Sequence, residues 1–163
     1  MSQGRKIRCY DYVNHPYAPV REALTRDPLR VFQSATKAAA YRAQSIAAEL
    51  HVDIGGVGVT SEIDIVVKAV EERERATGSN PATTLKLEWK AKTMPQWFPV
   101  MQAELSIYPL TATETQLDFS GLYVPPFGLV GEAVNALAGH RIAEASVHGF
   151  VTDLAVHLRK VLA

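Results

Sequence analysis

His140 and Glu144 stand four residues apart in a stretch that contains no proline through to the C-terminus. On a helix this spacing brings an imidazole and a carboxylate within reach of each other. The carboxylate raises the imidazole pKa and orients the ring, which is how a general acid/base is prepared. With the centre of the helix's apolar face set at Leu158, His140 falls at about 0° and Glu144 at about 40°. His148 falls at about 80°, on the boundary. The first turns therefore carry polar groups on the face that is apolar further along. The competing reading is that Gly139 interrupts the helix and turns His140 to solvent, or makes it a capping residue.

The other chemistry-bearing residues point to less. The five histidines are His15, His51, His140, His148 and His157. They have no close metal-ligand spacing, and His157 lies about 100° from the centre of the apolar face. His51-Val52-Asp53 offers two ligands on one strand face without an evident third, so no metal site is expected. Gly55-Gly56-Val57-Gly58 lacks dinucleotide and P-loop spacing and reads as a bend. The chain has one cysteine, Cys9. It has no sequence companion that marks a nucleophile and reads as a small strand residue. Glu71-Glu72-Arg73-Glu74-Arg75 reads as a solvated hairpin end. In Met94-Pro95-Gln96-Trp97-Phe98-Pro99, two prolines bracket two aromatics. These aromatics either anchor the core or form an entry lid or partner patch.

The whole chain bounds these readings. Its 163 residues suit one domain, 1–163, with a single core. Seventeen basic and seventeen acidic side chains cancel. That balance argues against a domain built to hold nucleic acid or an anionic membrane. No apolar run is long enough to cross a bilayer, and the N-terminus lacks an apolar signal region. The expectation is a cytoplasmic protein without an integral membrane segment. The sequence specifies no oligomeric state.

Elements that position these residues follow from hydrophobic period. Lys6–Val13 alternates and reads as a first strand, ended by Asn14-His15-Pro16. Pro19 fits the first turn of a short helix through Leu24, and Asp27 is a candidate N-cap for the next. Ser34 to Leu50 reads as a longer helix, and His51–Ile54 as a strand before the glycine bend. Ile63, Ile65, Val67 and Ala69 then alternate with Glu62, Asp64, Val66 and Lys68. After a turn at Thr77–Pro81, Leu85, Leu87, Trp89 and Ala91 share one face. Met101, Ala103, Leu105 and Ile107 do the same, as do Leu117, Phe119, Gly121 and Tyr123. Successive strands with a polar face and short connections predict an antiparallel sheet whose apolar face must be covered. After Pro125-Pro126, a short helix to about Leu137 is expected, with a break at Ala138-Gly139. His140 to Leu162 then reads as one amphipathic helix. Its Val147, Phe150, Val151, Leu154, Leu158, Val161 and Leu162 fall within an arc of roughly 120°.

This order resembles the helix-grip fold of the START-like superfamily, also called SRPBCC, the polyketide cyclase/dehydrase and lipid-transport group. The local likeness lies in Val13-Asn14-His15-Pro16-Tyr17-Ala18-Pro19-Val20, where a strand runs into a helix begun by proline. It lies also in Leu105–Leu110 followed by Thr115-Gln116-Leu117, and in Tyr123-Val124-Pro125-Pro126-Phe127-Gly128 leading to Gly131. The resemblance implies an α+β domain in which a curved antiparallel sheet of about six or seven strands wraps a long C-terminal helix, with two or three short helices after the first strand. It also implies a cavity between sheet and helix for a small hydrophobic molecule such as a lipid, polyketide or aromatic. The apolar sheet face then supplies ligand-binding residues Ile65, Val67, Leu87, Trp89, Met101, Leu105, Phe119 and Tyr123, with His140 from the helix. Only Trp89 and Tyr123 among the sheet residues offer hydrogen bonds, which suits an apolar ligand fixed by one or two polar points. Three functions remain open: binding or carriage, a polyketide cyclase/aromatase-like enzyme with His140 and Glu144 as acid and base, and a protein-interaction module. The enzyme would need no metal or organic cofactor, because this chemistry takes a base, a donor and exclusion of water. The same apolar side chains also suit a core that simply packs against the helix.

Overall fold

Alternation of apolar and polar residues makes five strands among the described residues and leaves one long helix to cover them. The computed structural model describes residues 5–33, 35–36, 63–73, 81–91, 100–124 and 133–163. The strands are β1 (Arg5–Val13), β2 (Ile63–Arg73), β3 (Ala82–Ala91), β4 (Val100–Thr111) and β5 (Glu114–Val124). Helix α1 spans Tyr17–Arg26, α2 residues 28–33, and α3 Ala133–Val161. The strands form one antiparallel sheet in the order β1-β5-β4-β3-β2. The expected count of six or seven becomes five among the described residues. The further strand read at His51–Ile54, the glycine bend and the turn residues Thr77–Asn80 lie outside them, as does most of the helix read over Ser34–Leu50.

Register shows why the apolar rows meet. Ile7 pairs with Gly121, Gly121 with Ala103, and Ala103 with Leu87. Cys9, Phe119, Leu105 and Leu85 form the next row. All eight residues are buried. Gly121 is small for a reason: a Cβ there would run into the Met101 sulfur, and would stand 3.1 Å from Phe119 Cε1.

Strand β2 departs from simple alternation. A bulge between Val67 and Ala69 shifts its register. Ala69 therefore pairs with Lys86 on the outer face, and Val70 takes the place opposite Leu85. The expectation of Ala69 on the inner face is overturned, because one extra residue flips every later side chain. β2 also runs into the charge run. Glu71 and Glu72 are exposed as expected, and Glu72 accepts a 2.7 Å hydrogen bond from Arg21 Nε on α1.

Helix α1 begins at Tyr17, so Pro19 lies in its first turn as expected. Asp27 caps α2, its Oδ1 accepting from Arg30 N at 3.3 Å. Helix α3 differs from expectation at both ends. It passes through Ala138 and Gly139 without a break, since one glycine costs a helix only about 1 kcal/mol. Val161 is 58% exposed, so Leu158 and the half-buried Leu162 carry the apolar face of the last turns. The face that is buried comprises Ala143, Ser146, Val147, Phe150, Val151, Leu154, Ala155 and Leu158. Phe150 is its centre of contact, with ring centroids 5.4 Å from Phe32, 5.3 Å from Trp89 and 5.9 Å from Phe119.

Two substitutions test this packing by urea denaturation. Phe150→Ala removes a ring held on three sides and is expected to cost about 3–5 kcal/mol. Gly121→Ala forces Met101 aside and is expected to cost about 1–3 kcal/mol.

Candidate functional site

The two ends of the inner sheet face differ in chemistry. At the end where β1 finishes and α1 begins, polar groups are buried or half-buried and paired. Tyr17 Oη and Thr83 Oγ1 are 2.6 Å apart. Thr115 Oγ1 donates to the His15 carbonyl at 2.8 Å. Arg159 Nη2 reaches Asp11 Oδ1 at 3.2 Å and donates to the Tyr12 carbonyl at 2.6 Å. α1 and the end of α3 thus close this end with hydrogen bonds.

The described sheet side chains on the inner face at the opposite end carry no such groups. Ile65 pairs with Trp89, and Trp89 with Met101. These three are 5%, 3% and 0% exposed. Next inward come Val67, half-buried, and Leu87, buried, and then Leu105 and Phe119, both fully buried. Trp89 packs edge-on to Phe119 with centroids 6.1 Å apart, besides its contact with Phe150. Ile65, Val67, Leu87, Trp89, Met101, Leu105 and Phe119, read from the sequence as one apolar face, are therefore brought together on one wall. At its centre the wall is filled by the protein's own rings. Tyr123 continues the row in register with Met101; its side chain and that of His140 lie outside the described residues. So do Met94–Pro99, with Trp97 and Phe98.

Glu144 is exposed, whereas the helical wheel put it on the core face. The wheel counted large apolar residues only. Ala143, Ser146 and Ala155 are also buried and widen the buried arc to roughly 180°, with Glu144 toward one side of it. A long charged side chain at the margin of the arc reaches water where an alanine stays beneath its neighbours.

One pairing escaped sequence reasoning altogether. Cys9 Sγ lies 3.5 Å from His148 Nδ1. The residues are far apart in sequence, and the only hint was the boundary position of His148. Burial pushes the Cys9 thiol up, and the charges of Asp11 and Asp118 add to it, while the Tyr10 N–H acts the other way. This is the environment of a protonated, unreactive thiol rather than a nucleophile. Among the described residues no cluster of three or more His, Cys, Asp or Glu side chains is arranged to hold a metal ion, and no helix is long and apolar enough to cross a membrane.

An open antiparallel sheet, short helices after its first strand and a 29-residue helix lying against the inner face have a counterpart among solved structures. The ZhuI aromatase/cyclase from Streptomyces sp. R1128 superposes with a TM-score of 0.50 at 12% identity, over 98% of this chain and 96% of that one. The fold is the helix-grip fold. A conserved protein from Geobacillus kaustophilus matches at TM-score 0.47 and 14% identity, over 96% of each chain. A Thermus thermophilus protein matches at 0.45 and 10%, over 98% of this chain and 100% of that one. No protein-family model and no curated protein matches the sequence. At these identities the likeness concerns the helix-grip fold, which carries many functions on one architecture.

The thiol environment has a direct consequence. Cys9 in the folded protein is expected to react with a disulfide reagent such as Ellman's reagent at least about tenfold more slowly at pH 7.5 than in urea-unfolded protein. Its rate should keep rising above the pH at which an ordinary thiol is already ionised.

Proposed function

We propose that this helix-grip domain binds or carries a small hydrophobic molecule, a lipid, polyketide or aromatic, between its sheet and α3. The observation that carries the reading is the contrast between the two ends of the inner face. The α1 end is closed by paired polar groups around Tyr17, Thr83, Thr115 and Arg159. The other end presents Ile65, Trp89 and Met101, with no charged or hydroxyl-bearing side chain among them. Such a wall favours an apolar ligand oriented by few hydrogen bonds. α3 runs from the Tyr12 end back past Cys9, so its first turns, including His140, extend toward this apolar end. His140 and Tyr123 are the polar points we assign to the ligand.

Binding is favoured over turnover because Glu144 is exposed. An exposed carboxylate is not enclosed in the dry, apolar surroundings that acid/base chemistry on a bound apolar ligand needs.

Native mass spectrometry of protein purified without detergent tests the reading. The expected spectrum shows a co-purified apolar adduct on the wild-type chain. His140→Ala is expected to weaken adduct retention by roughly tenfold, the worth of one hydrogen bond of about 1.4 kcal/mol to a buried ligand, with an unchanged melting temperature. An adduct-free chain that also fails to bind added fatty acids and polycyclic aromatics would refute it.

A further inference from the structure

Among the described residues, strand β1 stands at the margin of the sheet in the order β1-β5-β4-β3-β2. A marginal strand presents N–H and C=O groups to any chain that can pair with them. In β1 these groups belong to alternate residues, and the register with β5 is unbroken from Arg5 to Val13. Tyr12 shows which set faces outward. Its N–H donates to Asp11 Oδ1 at 2.7 Å, and its carbonyl accepts from Arg159 Nη2 at 2.6 Å. Neither group is spent on β5. By the alternation of an antiparallel ladder, Tyr10, Arg8 and Lys6 turn the same way.

Among the described residues it is the helix that answers these groups. Arg159 reaches Asp11 at 3.2 Å, and its guanidinium carbon lies 5.2 Å from the centre of the Tyr12 ring. His15 Nε2 stands against the Arg159 carbonyl. Two residues along β1, the Tyr10 N–H faces the Cys9 sulfur, which touches His148 of α3. Asp11 and Cys9 therefore play equivalent parts. Each holds the N–H of the next residue, and each is held in turn by a side chain of α3.

We propose that the β1 edge is a latent pairing surface for a second copy of this chain, kept closed by Arg159 and His148 of α3. The occupant follows from the residues of the edge. In a two-fold antiparallel pair centred on Cys9, Arg8 of one copy stands opposite Tyr10 of the other, and Lys6 opposite Tyr12. Both are cation-on-ring pairs, and no like charges oppose each other. Arg8 and Tyr10 are also the residues whose backbone groups point outward, so the hydrogen-bonded and side-chain registers agree. Tyr10 is 72% exposed and Tyr12 47%, which leaves their rings accessible on the outer face.

Sedimentation velocity over a range of protein concentrations tests this. The wild-type chain is expected to sediment as one chain. Arg159→Ala is expected to shift toward twice that mass as concentration rises. Adding Tyr10→Pro should abolish the shift, because proline lacks the outward N–H while the bonds to β5 are kept. Circular dichroism melts establish that each variant is folded; should Arg159→Ala not fold, Arg159→Gln, which keeps most of the stem, takes its place. A folded Arg159 variant that stays at one chain mass overturns the proposal. So does association that Tyr10→Pro leaves intact. A wild-type dimer dispersed by Tyr10→Pro alone would equally overturn it, since the edge would then be open in the native protein.

Discussion

The contact of Phe150 with Phe32, Trp89 and Phe119 ties together parts of this fold that lie far apart in sequence. It joins α3 to the segment after α1, to β3 and to β5. A curved sheet with one apolar face is unstable until that face is covered, and a single amphipathic helix has just enough apolar arc to do it. Around Phe150 the fit is close. Met101 fills the space left by Gly121, and Ala103 lies in the same cross-strand row. Small residues on the sheet are thus matched to large ones beside them, which is how a core reaches native density.

The helix does a second task with its polar side chains. It lies closer to β1 than to any other described strand. Arg159 and His148 meet β1 through Asp11 and Cys9, and so address backbone groups that a marginal strand would otherwise leave open. Core packing and edge protection are properties of one element, so the same helix register must satisfy both. On the outer face, ion pairs such as Arg8–Asp118 and Lys86–Glu71 alternate in sign across neighbouring strands. Exposed pairs of this kind add little stability, but they keep the wet face polar.

Much of the architecture was legible because it rests on period. The alternation in Leu85, Leu87 and Trp89, or in Met101, Ala103, Leu105 and Ile107, survives intact as buried rows. Asp27 capped its helix as its type and position suggested. Failures came where one residue changes the count or where residue size matters more than polarity. The bulge after Val67 moved Ala69 outward, and nothing in the local pattern marks an extra residue. Ser146 and the buried alanines widen the helix's inner arc beyond its large apolar residues, while Glu144 at one side of it is exposed. Gly139 did not break α3, because one glycine costs a helix only about 1 kcal/mol.

By itself the sequence determined the fold class, the order of elements and which faces are apolar, since these follow from side-chain spacing along the chain. The neutral charge balance likewise argued from composition alone against nucleic acid. Tertiary structure alone decided that one end of the inner face is sealed by hydrogen bonds while the other is an apolar wall. It also decided that Cys9 meets His148 and that Arg159 meets Asp11 and Tyr12. These contacts join residues more than a hundred positions apart. Their partners are chosen by strand register and helix placement, which no local pattern encodes.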